Sequence, residues 1–240
     1  MTNKIAVVTN VSDYAGPPAV AALVADGFHV LGHSPRFADA TARREFESEH
    51  PHRIASATES VEDVVKEALE RFGRIDVAIS NDAGETRQGP IQERSTQDFR
   101  NVLEAFTVAP FRLISAVVPH MRAQSSGRII LITSGAPLRP MPNMSLYSAA
   151  RAAANMLVRT LATEIGAAGI AINAIAPYLL LSNYFPDGMD NPDFAQMVHS
   201  LVPMKRPGQP EEIGALISLL ASGKADFISG QVIGFSGGGA

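Results

Sequence analysis

Ser134, Tyr147 and Arg151 are residues whose types and spacing can do chemistry together. Tyr147 and Arg151 are four apart, so on a helix they share one face within contact distance. A free tyrosine, with a pKa of about 10, is a poor base at neutral pH and needs a neighbouring cation to favour its phenolate. Arginine supplies one, because its charge cannot be lost and its planar fork can hold the phenolic oxygen while donating elsewhere. Ser134, expected at the carboxyl end of a strand, can hydrogen-bond a substrate oxygen and hold it for proton transfer. Tyr-x3-Arg alone is a common pairing, so its weight comes from position and company.

The elements that must position these residues follow from the hydrophobic pattern. Apolar runs of strand length alternate with longer segments of helical periodicity, a βαβ rhythm that predicts a parallel sheet with helices on both faces. Strands are expected at Lys4 to Thr9, His29 to Gly32, Arg53 to Ala57, Val77 to Ser80, Arg128 to Thr133, Ala171 to Ile175 and Gln231 to Phe235. Helices are expected at Pro17 to Asp26, Ala38 to His50, Val61 to Phe72, Ser95 to Ala123, Ser145 to Ala167 and Pro210 to Ala221. The fold class is α/β: a single Rossmann-like, doubly wound domain over residues 1–240, with a seven-stranded parallel sheet. The irregular stretch Pro177 to Pro192, with Tyr178, Tyr184 and Phe185, follows directly on a strand. It reads either as a lid or pocket wall or as an ordinary surface loop.

The first strand leads into Thr9-Asn10-Val11-Ser12-Asp13-Tyr14-Ala15-Gly16-Pro17, where a dinucleotide-binding protein carries its glycine-rich turn. Such glycines let the backbone approach a pyrophosphate and aim amide N–H groups at it from a helix N-terminus. Here only Gly16 remains, Tyr14 projects a ring into the space a phosphate needs, and Pro17 removes a donor from the first helical turn. The turn is therefore expected not to hold a pyrophosphate. The competing reading is an atypical turn that still binds a nucleotide.

Composition narrows the function classes. With 20 Lys+Arg against 24 Asp+Glu the net charge is −4, which offers no electrostatic footprint for nucleic acid. Charges and prolines are expected to interrupt every apolar stretch before it can span a membrane, and no signal peptide is read at Met1-Thr2-Asn3-Lys4, so a soluble, cytoplasmic protein is expected. The absence of cysteine excludes disulfides, thiolate metal sites and a cysteine nucleophile. The six histidines show no ligand or triad spacing, and no metal site is expected.

Across essentially the whole chain the sequence resembles the short-chain dehydrogenase/reductase superfamily. The residues that carry this are Val77-Ala78-Ile79-Ser80-Asn81, the Ser134 to Tyr147 spacing, Asn173-Ala174-Ile175-Ala176-Pro177 and Ile228-Ser229-Gly230-Gln231-Val232. The departures are systematic. The superfamily's Tyr-x3-Lys, whose lysine contacts the nicotinamide ribose, is Tyr147-x3-Arg151. The asparagine of its proton relay is replaced by Phe106, its Asn-Asn-Ala-Gly by Ser80-Asn81-Asp82-Ala83, and the glycine after its late proline by Tyr178. Together these resemble the halohydrin dehalogenases, a branch marked by Thr-x4-Phe/Tyr-x-Gly and Ser-x12-Tyr-x3-Arg. The corresponding residues are Thr9-x4-Tyr14-x-Gly16 and Ser134-x12-Tyr147-x3-Arg151.

The resemblance implies a cofactor-independent bacterial enzyme that converts a vicinal haloalcohol into an epoxide, a halide and a proton, and that opens epoxides in reverse with halide, azide, cyanide or nitrite. Tyr147, beside Arg151, takes the hydroxyl proton while Ser134 holds the same oxygen. By analogy the halide pocket is built from Tyr14, Pro177, Tyr178, Leu179 and Leu180, the leucines being equally readable as packing under a loop. Asp82 is either an orienting carboxylate for Arg151 or a solvated loop residue. Relatives are commonly tetrameric, with long helices paired, for which Ser95 to Ala123 and Ser145 to Ala167 are the candidates. With Ala240 shortly after the last expected strand, the C-terminal extension of some relatives is expected to be missing. The alternatives are a nicotinamide-dependent oxidoreductase with an atypical first turn and an inactive binding or assembly subunit.

Overall fold

The computed structural model describes residues 4–239. Met1, Thr2, Asn3 and Ala240, on which expectations about the two chain ends rest, lie outside the described residues. Seven short apolar runs form β1 (Lys4–Val8), β2 (Phe28–Gly32), β3 (Arg53–Ala55), β4 (Val77–Ser80), β5 (Gly127–Ile132), β6 (Ile170–Pro177) and β7 (Val232–Phe235). They pair in one all-parallel sheet of order β3-β2-β1-β4-β5-β6-β7, the doubly wound α/β fold expected from the alternation.

The central strands are mostly apolar because both faces are covered. Ala6 and Val8 of β1 face a layer that includes α1 (Gly16–Ala25) and α8 (Pro210–Ala221), whose buried residues Val20, Leu23, Ile213 and Ile217 fill it. Val7, between them, faces the opposite layer. That layer holds α3 (Val61–Phe72), α5 (Ala109–Gln124) and α6 (Ser145–Ile165), with Val64, Leu113 and Val158 buried there. Strand order reverses between β1 and β4, the switch point beyond which ligands of such sheets sit. Registers of Val8 with Ile79, Ser80 with Leu131 and Ile132 with Ile175 bring Thr9, Asn81, Thr133 and Pro177 to one edge.

Three helical expectations need correction. The helix expected from Ala38 is preceded by a 3-10 turn, Pro35–Ala38, and α2 runs only Ala40–Ser48. Asp39, whose side chain accepts from the Thr41 N–H at 2.8 Å, caps it there. The helix expected over Ser95 to Ala123 is α4 (Thr96–Leu103), a π-helical turn at Glu104–Val108, and then α5. The loop after Pro177 gives way to an unexpected helix, α7 (Pro192–Leu201), where the Asn191 side chain accepts from the Asp193 and Phe194 N–H groups. The joined run Thr96–Gln124 is also long and apolar enough, by length and composition, to cross a membrane, contrary to expectation. Its Val102, Phe106, Leu113, Val117 and Met121 are buried against neighbouring elements, as in a core helix.

The turn between β1 and α1 folds tightly on itself. A Cβ at Gly16 would overlap the Asn10 carbonyl oxygen and come within 2.7 Å of the Val11 carbonyl carbon. Gly16→Ala is expected to lower the free energy of unfolding by about 1–3 kcal/mol in denaturant titration, because backbone rather than a flexible side chain must move. Unchanged stability would show that the turn is looser than this packing implies.

Candidate active site

Tyr147 lies in the first turn of α6 and Arg151 one turn further on, with Arg151 only 4 % exposed. Each arm of the guanidinium has a partner on a different element. Nε donates to Tyr147 Oη at 3.3 Å, Nη1 to the Ile132 carbonyl at the end of β5 at 3.1 Å, and Nη2 to the Asp82 carbonyl beyond β4 at 3.2 Å. Phe106 packs on its face, 4.4 Å from guanidinium carbon to ring centroid, and meets the Tyr147 ring edge-on at 4.9 Å. The π-helical turn carries Phe106 and is tied to α6 by the Thr107 hydroxyl, which donates to the Ala150 carbonyl at 2.9 Å. Arg151 forms no ion pair with a carboxylate among the described residues.

Ser134 follows β5 directly, and its Oγ accepts the Ala136 N–H at 3.1 Å, which sets the hydroxyl's direction. The Gly135 N–H donates to the Pro177 carbonyl at 2.8 Å, tying the serine loop to the end of β6. Ser134, Tyr147 and Arg151 all line one cavity of about 560 Å³, together with Tyr14, Asp82, Phe106, Pro177, Tyr178, Leu179, Tyr184 and Phe185. A larger cleft of about 700 Å³ between α1 and α8 shares Tyr14 with it but none of the serine, tyrosine and arginine, so chemistry belongs to the smaller cavity.

Two expected site residues are placed differently. Leu180, expected in the pocket, is 1 % exposed and packs in the core beneath it. The left-handed backbone at Leu179, φ 53°, turns the chain there, so Leu179 lines the cavity while the Leu180 side chain enters the core. The orienting group of Asp82 is its backbone carbonyl. Its carboxylate instead accepts from the Thr9 hydroxyl at 3.3 Å and from the Ser80 hydroxyl. Tyr14, Pro177, Tyr178 and Leu179 line the cavity. The loop after β6 forms its wall, which settles the choice between pocket wall and ordinary surface loop. Phe106 as a partner of the guanidinium, and Tyr184 stacked on Tyr14 at 5.7 Å between centroids, were not singled out as site residues. The aromatic content of the loop was the available signal for Tyr184, whereas nothing in linear spacing points from Phe106 to Arg151.

Burial dominates the electrostatics. It pushes the Tyr14 phenol far above the usual tyrosine range, with neighbouring Tyr147 adding to the rise and Arg151 opposing it. Tyr184 is raised for the same first reason, and Asp13 adds to it. Both phenols remain neutral donors at physiological pH. Asp82 is raised by burial, opposed by its bond from Ser80, by Arg151 and by Thr9.

Doubly wound sheets with this switch point commonly hold a nicotinamide dinucleotide at the first turn, and these residues do not fit its pyrophosphate. Four of the turn's own amides are occupied. Val11 donates to the His33 carbonyl, Asp13 to that of Asn10, Gly16 to that of Asp13, and Tyr14 to the Asn183 side chain. Pro17 and Pro18 have no N–H at the start of α1. Asn81 Nδ2 donates to both the Asn10 and Asp13 carbonyls, at 2.9 Å each, and draws the turn inward. Asn10 and Tyr14 take φ of 49° and 51°, the left-handed backbone that suits glycine, but with side chains attached.

Comparison with known proteins points two ways. Residues 20–239 match a family profile described as enoyl-(acyl carrier protein) reductase. A 3-oxoacyl-[acyl-carrier-protein] reductase of Synechocystis sp. is 32 % identical over 247 residues, covering 99 % of this chain and 97 % of that protein. Among solved structures, a protein described as a dehalogenation enzyme is 38 % identical with a TM-score of 0.94, covering 100 % of this chain and 99 % of that one. A halohydrin dehalogenase bound to ethyl (2S)-oxiran-2-ylacetate is 31 % identical with a TM-score of 0.94, covering 98 % and 96 %.

The raised Asp82 has a signed consequence. Its carboxyl holds a proton more tightly folded than unfolded, so its contribution to stability is fully present below the unfolded pKa and is lost as pH rises through the folded value. Asp82→Asn carries no such loss. Its melting temperature is expected to match wild type near pH 4 and to exceed it increasingly towards pH 8. A variant less stable than wild type at pH 8 would show that the carboxylate is a net stabiliser through Arg151.

Proposed function

The chain belongs to the short-chain dehydrogenase/reductase superfamily, and from that premise we propose that it is a halohydrin dehalogenase that works without nicotinamide. What supports this is one juxtaposition: Ser134, Tyr147 and Arg151 share a cavity with Tyr14 of a turn whose Val11, Asp13, Tyr14 and Gly16 amides are already bonded. Likeness to solved dehalogenation enzymes at 38 % and 31 % identity adds to it.

The substrate is a short vicinal haloalcohol. Ser134 donates to its hydroxyl oxygen, and Tyr147, as phenolate against the Arg151 Nε–H, takes the hydroxyl proton. The oxygen's electron pair then forms a bond to the adjacent carbon as the carbon–halogen bond breaks. Epoxide and halide result, and the proton is passed to solvent. Nucleophile and leaving group belong to one molecule, so no covalent enzyme intermediate is required. The enzyme's task is to stabilise charge moving from one end of the substrate to the other.

Donors for the halide lie on the far wall. The Tyr178 N–H is bonded to the Phe235 carbonyl and the Leu181 N–H to that of Gly208. This leaves the intervening Leu179 amide, on the cavity wall, without a backbone acceptor among the described residues. Leu179 is held at φ 53°, strained backbone of the kind that persists at functional sites. Neutral Tyr14 and Tyr184, which line the same cavity, contribute phenolic donors. A halide admitted here is replaceable by azide, cyanide or nitrite, so epoxide opening is the reverse reaction. The protein acts, on this view, as a cytoplasmic homotetramer with neither nucleic acid nor membrane as partner.

The reductase identity of sequence relatives favours a second reading, a nicotinamide-dependent reductase. One assay separates the two. Purified protein given short bromo- or chloro-alcohols without nucleotide is expected to release halide and acidify the solution. Oxidation of reduced nicotinamide with a ketone, and no halide above background, would favour the reductase. Arg151→Lys keeps a charge but loses the fork that spans Tyr147, Ile132 and Asp82, so a fall of about 100-fold in kcat is expected. Near-normal turnover in that variant would count against the clamp.

A further inference from the structure

The first turn and the loop after β6 are joined by one side chain. The Tyr14 N–H donates to Asn183 Oδ1 at 2.9 Å, and Asn183 Nδ2 donates to Asp13 Oδ1 at 2.6 Å. The contact spans 169 residues of chain and uses both halves of the amide. Next to it, Tyr184 stacks on Tyr14, and both rings face the active cavity.

Packing alone does not hold this segment. Leu179 and Leu181 are tied to Gly208 by backbone bonds, and the Phe185 ring stacks on Phe194 of α7 at 4.3 Å between centroids. Between those anchors, Leu181, Ser182 and Asn183 line the cleft of about 700 Å³ between α1 and α8, while Leu179 and Tyr184 line the cavity of about 560 Å³. The Leu181 to Asn183 stretch therefore borders open space on the cleft side, and a polar tie adds to the stacking of Tyr184 in fixing its position.

We propose that Asn183 is a positioning residue for the anion end of the site. By bridging Asp13 and Tyr14 it sets the spacing of the Tyr14 and Tyr184 phenols, and so the size and affinity of the anion or epoxide substituent that fits between them. This rests on the dehalogenase reading, because the wall it positions is the one assigned to the halide. Asn183 touches no reacting atom; it acts through Tyr14. Its removal weakens ground-state and transition-state binding together, which raises KM and the halide inhibition constant more than it lowers kcat.

The test is an exchange of the two polar partners. In Asn183→Ala and in Asn183→Asp, where two carboxylates face each other, the bromide inhibition constant and the KM are expected to rise about tenfold, the equivalent of one hydrogen bond near charge. The kcat should change less than KM. In the double variant Asn183→Asp/Asp13→Asn the new carboxylate accepts from Tyr14 and the new amide donates to it. Both constants should return to within about twofold of wild type. Hydrogen exchange at the Tyr14 amide, which needs no turnover, should accelerate in the single variants and recover in the double one. Unchanged bromide inhibition and unchanged exchange in the single variants, or a double variant no better than Asn183→Asp, would overturn the proposal. Wild-type protein that releases no halide while its Tyr14 exchange still follows the swap would overturn the dehalogenase reading and leave the bridge standing as a device of the turn.

Discussion

A guanidinium that is 4 % exposed must be met by partners inside the protein, and most of the site follows from how Arg151 is met. Its partners are neutral oxygens: two carbonyls past the ends of adjacent strands and one phenol. The nearest carboxylate, Asp82, is turned to Ser80 and Thr9. The cation is thus hydrogen-bonded but not neutralised, and its charge is left for an anion in the cavity. A buried Asp–Arg pair would be satisfied and inert towards the pocket. The carbonyls that orient Arg151 also fix where α6 begins relative to β4 and β5. The π-helical turn supplies Phe106 as the floor that keeps water from the charge.

The first turn is the complement of that clamp. In a dinucleotide-binding sheet, free amides at this point attract a pyrophosphate. Here those of Val11, Asp13, Tyr14 and Gly16 are bonded within the turn, to His33 or to Asn183, and Asn81 pulls two of the turn's carbonyls inward. Asn10, Tyr14 and Leu179 accept left-handed backbone that costs roughly 1–2 kcal/mol each. Two of these, Tyr14 and Leu179, line the cavity, and their strain is sustained only by surrounding contacts. Its effect is to place a neutral phenol and strained amides opposite the arginine.

Much of this was legible before any coordinates. The β1, β4 and β5 runs are apolar on both faces, so length and alternation with helical segments sufficed to find them. Tyr147 and Arg151 were legible because a helix converts spacing of four into contact. A motif names Leu179 and Leu180 as neighbours, whereas the left-handed backbone at Leu179 parts their side chains between cavity and core, a local turn that residue order does not announce. Asp82 was found by position, but a sequence does not distinguish a carboxylate from a carbonyl as the group that touches. The π-helical turn interrupts a periodicity of 3.6 that the side chains otherwise keep, so α4 and α5 read as one helix. α7 lay behind prolines and a glycine that read as loop. Asn183 was invisible because its partners stand 169 and 170 residues away, and no local pattern encodes such a contact.

The central claim is that this fold binds a small anion where its relatives would bind a dinucleotide. The most direct test is equilibrium titration of the protein with NADPH and with NADH, followed by nicotinamide fluorescence. No saturable change up to about millimolar cofactor, a Kd weaker than roughly 10⁻³ M, is predicted, because the turn has few free amides to offer a pyrophosphate. Saturable binding in the micromolar range would contradict the account and return the site to nicotinamide chemistry.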